Sequence, residues 1–168
     1  LHEGEKVLIT VTPIERVLTV GLADVVHAFG AANADLRWTL LHFYGTTSPT
    51  MPLWKGMAAL ELEAAAATGL PPMEMKELIQ LAESTTDIYD VLLVGSKTLE
   101  QTPRGVRKNP VEYFNALAAQ YEAVVECVDS GVWRISIADR SVAEAVRRSL
   151  ARQPDVSITD VAPWQPPH

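Results

Sequence analysis

The segment Ile88 to Val94 (IYDVLLV) is almost continuously apolar over a length that suits a strand. A strand with one wet face alternates between polar and apolar residues, so a run of this kind belongs inside a sheet covered on both sides. It therefore predicts a layered fold with this strand placed centrally. Other segments supply the rest of the sheet. Val7 to Val11, Leu36 to Tyr44, Ala123 to Val128, Val132 to Ala138 and Val156 to Val161 are short runs rich in β-branched and aromatic residues. Asp129, Ser130 and Gly131 supply turn chemistry between Val128 and Val132, which predicts a hairpin.

The stretches between these runs carry helical spacing. Thr12 as N-cap, Pro13 at the first helical position and Glu15 as a capping-box acid predict a helix from Pro13. Its inward stripe is Ile14, Val17, Leu18, Leu22, Val25, Val26 and Phe29, and Gly30 ends it. A second helix spans Leu53 to Thr68 and is closed by Gly69, and a third opens at Pro71 and Pro72 with Met75, Leu78, Ile79 and Ala82 inward. A fourth follows Pro110 and buries Phe114, Leu117, Ala118 and Tyr121. A capping box of Ser141 and Glu144 opens a fifth, which Pro154 stops. Gly45 to Pro52 and Ser96 to Asn109 are loops.

The resulting order is β-α-β-α-α-β-α-β-β-α-β, an α+β chain with a single mixed β-sheet of six strands and helices packed on it. The hairpin and the lack of a glycine-rich first turn argue against a doubly wound nucleotide fold. The expected organisation is one globular domain over 1–162 and a proline-rich tail over 163–168.

A chain of 168 residues can bury a core without disulfides or a structural metal. The single Cys127 has no internal disulfide partner, and no basic n-region followed by an apolar h-region is visible. The expected setting is cytoplasmic, without a cofactor. No apolar run reaches the ~20 residues needed to cross a bilayer.

Searchable catalytic motifs are missing. Gly95-Ser96-Lys97-Thr98 lacks the glycine spacing of a phosphate loop, and there is no G-x-S-x-G elbow, H-E-x-x-H helix, paired C-x-x-C or calcium loop. Asp24 and His27, three apart on the first helix, could form a carboxylate-imidazole pair for general-base work, or simply an exposed helix pair. His42 shares a strand face with Trp38, Leu40 and Tyr44, while Arg37, Thr39, Leu41 and Phe43 point the other way. Cys127 is a candidate nucleophile if a histidine lies near it, and otherwise a small buried hydrophobe. Arg104, Arg107 and Lys108 form a cation cluster between Pro103 and Pro110 that could clamp an anion or remain solvated.

Charge is the more directive signal. The net charge is −7, and residues 61–100 hold eight acidic side chains against Lys76 and Lys97. Such a field repels nucleic acid and attracts a basic protein, though a charge run can also be a merely solvated face. Glu74, Glu77, Glu83, Asp87 and Glu100 are the candidate partner-binding acids. Trp54, in the apolar stretch Met51 to Trp54 beside two prolines, is the candidate anchor; the same residues could equally staple the next helix to the core.

The Trp-containing strand Arg37-Trp38-Thr39-Leu40, the loop after it, the acidic helix opened by Gly69-Leu70-Pro71-Pro72 and the strand Ile88 to Val94 ending at Gly95 together resemble small bacterial immunity-type proteins. The resemblance covers the middle third of the chain. It implies a non-catalytic protein that neutralises a polymorphic toxin domain, often through an acidic surface, and it carries no fixed site residues. Two classes are thus expected: a binding module for a basic partner, which the resemblance implies is a toxin domain, or a small enzyme using a His/Asp or Cys/His site with the cation loop. An acidic face beside an exposed Trp54 distinguishes the first, and a cleft gathering His27, His42 or Cys127 the second.

Overall fold

The computed structural model describes residues 6–13, 20–50, 52–99, 110–128, 132–153 and 156–161. Six strands, β1 (Val7–Pro13), β2 (Arg37–Thr47), β3 (Thr85–Ser96), β4 (Ala123–Val128), β5 (Val132–Ile137) and β6 (Val156–Val161), form one sheet in the order β2-β3-β4-β5-β1-β6. Five helices accompany it: α1 (Leu22–Ala31), α2 (Ala59–Thr68), α3 (Met75–Glu83), α4 (Pro110–Gln120) and α5 (Arg140–Ala151), with a 3-10 turn at Trp54–Gly56. The α+β class and the element order agree with the sequence. Every ladder is antiparallel, however, so the sheet is not mixed.

The sheet has two unequal sides. Ile9, Val11, Trp38, Leu40, Phe43, Val91, Leu93, Val125, Cys127, Trp133 and Ile135 face a large core built with α1, α2, α3 and α5. Leu8, Leu92, Val94 and Val124 face the opposite way and pack with Phe114 and Leu117 of α4. From Val91 to Val94 alternate residues of β3 thus serve both cores, which is why that part of the strand is apolar without interruption. On the α4 side, Arg134 donates to Glu126 across the β4-β5 ladder at 2.6 Å and lies 4.9 Å from the Phe114 ring centroid. A charge-assisted hydrogen bond and a ring face thereby accompany the burial of both charges.

Four local readings differ from the sequence expectation. Thr12 and Pro13 pair with Ser157 and Val156 and end β1, and α1 begins only at Leu22. The β1-β6 ladder outweighs the apparent cap at Thr12, and the working N-terminus is Gly21, whose N–H donates to the Asp24 carboxylate at 2.8 Å. Ile14, Val17, Leu18 and Glu15 lie outside the described residues, while Leu22, Val25, Val26 and Phe29 form the buried stripe as expected. In β2 the register with β3 shifts between Leu40 and His42. This bulge moves Phe43 onto the side of Trp38 and Leu40 and so reverses the expected alternation beyond it, while Leu41 lies with the α4 core, opposite Trp38 and Leu40, as expected. Finally, Asp139 caps α5, accepting from the N–H groups of Ser141 at 2.8 Å and Val142 at 3.2 Å, so Ser141 sits inside the helix.

The second helix is likewise shorter than its sequence suggests. Leu53 to Met57 form the 3-10 turn and its flanks, and α2 starts at Ala59. The chain leaving β2 is fixed beside the end of α3, because the Ser48 N–H donates to the Ser84 carbonyl at 2.9 Å. That link sets the 3-10 turn next to α3.

Candidate functional site

A groove of about 410 Å³ lies between the 3-10 turn and α3. Pro52, Leu53, Trp54 and Lys55 form one wall, and Glu77, Gln80, Glu83 and Ser84 the other. The helical wall follows from spacing: residues three and four apart share a face, so Glu77, Gln80 and Glu83 line up while Leu78, Leu81 and Ala82 turn to the core. The opposite wall depends on two successive left-handed residues, Lys55 at φ 50° and Gly56 at φ 72°. Glycine adopts that conformation freely, and it lets the chain reverse within one turn. The Gly56 N–H closes the turn on the Leu53 carbonyl at 3.2 Å.

The reversal folds Lys55 back over its neighbour. Its ammonium stands 4.7 Å from the Trp54 ring centroid and 3.9 Å from Glu77 Oε2. Glu77 also accepts from the Glu74 N–H at 3.4 Å, which helps to close the N-terminus of α3. At the other end of the groove, Glu83 lies 3.1 Å from His27 Nε2 and joins α3 to α1. The groove therefore holds two carboxylates, one ammonium and an indole.

The structure brings three of the expected partner-binding residues, Trp54, Glu77 and Glu83, into this one groove. Glu74 is exposed at the start of α3, and Asp87 is exposed on β3, accepting from the Thr46 hydroxyl at 3.3 Å. Glu100 and the cation cluster Arg104, Arg107 and Lys108 lie outside the described residues. Trp54 is not the exposed anchor the sequence suggested. It is 6% exposed and belongs to the large core, with Lys55 over its ring. The staple reading and the groove reading meet in one residue, whose indole is both core and wall.

The enzyme candidates are not assembled. Asp24 serves the α1 cap and His27 pairs with Glu83, so the candidate Asp24/His27 couple does not form. His42 lies half-buried on β2. Cys127 is fully buried in the large core, where burial first, then the charges of Asp90 and Glu126, push its thiol up to about 12. A thiol so protonated is a poor nucleophile. Neither the groove nor a smaller cavity of about 130 Å³, bordered by Asn33, Lys97, Glu122 and Asp139, includes His27, His42 or Cys127. Among the described residues no group of three or more His, Cys, Asp and Glu is placed to hold a metal ion, and no helix is long and apolar enough to cross a membrane.

Sequence reasoning passed over two features. Lys55 was available as a lone cation between Trp54 and Gly56, a tripeptide able to fold back on itself. Tyr44 and Tyr89 form an exposed pair with centroids 5.2 Å apart, at a second register shift in the β2-β3 ladder that no local pattern announces. Comparison with protein-family models, curated proteins and solved structures finds no match to this chain.

Proposed function

We propose that this chain is a non-catalytic protein-binding module that receives a basic partner on the groove between the 3-10 turn and α3. The observation that carries the reading is that Trp54 of the 3-10 turn meets Glu77 and Glu83 of α3 on one concavity, in a chain of net charge −7. Pocket-like concavities lined by aromatic groups with a few placed charges are the usual form of recognition sites. The resemblance to immunity-type proteins suggests the partner's class, a basic toxin domain.

Rim charges act chiefly on association, by steering the encounter through a field that salt screens. The test begins with capture of the partner from the native host by the tagged chain, followed by binding kinetics over a salt series. Reversing Glu74 and Glu77 to Lys should slow association by about tenfold at low salt and flatten its salt dependence. Unchanged on-rates across the series would refute an electrostatically steered site here.

A further inference from the structure

Deepening that reading, we infer that the groove is a receptor for one arginine or lysine side chain of the partner, and that Lys55 occupies it in the free protein. Lys55 is a cation of this chain seated on an indole face and a carboxylate. Those are the two groups that recognise an ammonium or guanidinium, one through the ring quadrupole and the other through charge and hydrogen bonding. Lys55 itself is half exposed, with its side chain 51% accessible, and its pairing distance to Glu77 is at the long limit for an ion pair. Exposed pairs of this kind contribute little, so exchange for a better-placed cation costs little. Trp54, by contrast, is fixed in the core, and the helical wall carries a second carboxylate at Glu83. The receptor is rigid and its internal occupant is loosely held. A guanidinium, planar and able to engage a carboxylate through two N–H groups while stacking on an indole, suits the walls better than the ammonium it would displace.

The local backbone offers a clean way to empty the site. Lys55 sits at φ 50°, where glycine is at ease, so Lys55→Gly removes the occupant without disturbing the turn. The full chain and this variant are titrated with N-acetyl-arginine amide, and with the uncharged N-acetyl-citrulline amide as control, reading the Trp54 indole N–H in two-dimensional NMR spectra. The inference predicts saturable binding of the arginine probe to Lys55→Gly, about threefold or more tighter than to the parent chain. Citrulline should leave the signal unmoved, and Glu77→Gln in the Lys55→Gly background should weaken the arginine probe by a similar factor. Lys55→Gln is a second emptied form that keeps the aliphatic stem and should behave in the same direction. Equal affinity of parent and emptied forms, absence of binding to either, or equal response to citrulline would overturn the inference. If that happens while the captured partner still associates in a manner sensitive to Glu77 reversal, the protein-binding reading stands and only the single-cation receptor falls.

Discussion

Gly95 shows how closely single positions in β3 are specified. A Cβ built there would approach the Trp38 ring to between 2.9 and 3.0 Å, and Trp38 is 1% exposed and packed edge-on to Phe29 at 4.9 Å. The ring has nowhere to move, so overpacking follows. Gly95→Ala should lower unfolding free energy by about 1–3 kcal/mol, measured by urea denaturation. Cys127 carries a different prediction. Its thiol ordinarily ionises near 9, but in the folded chain only at about 12. The unfolded state therefore loses its proton first as pH rises, and the folded state is penalised by keeping it. Stability from this group is complete below pH 9 and declines as pH rises toward 12. Compared with Cys127→Ala, the parent chain should show a steeper fall in urea midpoint across that interval. Parallel curves would place an ionisable thiol nearer solvent.

At the scale of elements, the sheet and helices were legible where one physical signal dominated. The apolar run at Ile88 to Val94 predicted a strand covered on both faces and central in the sheet; β3 contains the run and its Val91 to Val94 part is buried on both faces, but the strand lies second from the edge, between β2 and β4. The start of α1 was not legible, since the Thr12-Pro13-Glu15 pattern satisfies local capping rules while the pairing of Thr12 with Ser157 depends on a strand more than a hundred residues away. The reversed faces in β2 have the same origin, a bulge set by β3 rather than by β2. The site was half legible. The acidic excess of the 61–100 segment pointed to Glu74, Glu77, Glu83, Asp87 and Glu100, of which Glu77 and Glu83 line the groove, but the roles of Lys55 and His27 depend on tertiary placement that composition does not contain. At α5 the cap itself is testable. Hydrogen bonding from the Ser141 hydroxyl, then from backbone N–H groups, holds the Asp139 carboxyl below its usual range, outweighing slight desolvation. The stabilisation it gives is present above the ordinary aspartate range and is lost as pH falls through the lowered value. Asp139→Ala should cost about 1 kcal/mol near neutral pH, and the difference from the parent should shrink in acid. Thermal unfolding at the two pH values checks both parts.

Over the whole molecule, the two sides of the sheet divide the labour. The larger core, with both α1 and α3 in it, holds Trp54 and the helical wall in fixed relation, so the groove is an extension of the most buried part of the fold. The exposed Tyr44-Tyr89 pair, on the β2-β3 ladder, is a separate surface and provides the natural contrast. Of the acids in the 61–100 segment, Glu77 and Glu83 line the groove, Glu77 meeting Lys55 inside it and Glu83 meeting His27 of α1 outside its lining. The most direct measurement of this account is amide hydrogen exchange of the chain alone and in complex with its captured partner. Protection should concentrate in peptides covering residues 52–57 and 77–84. Protection confined to the Tyr44 and Tyr89 segments or to β6, with the groove peptides unchanged, would contradict it.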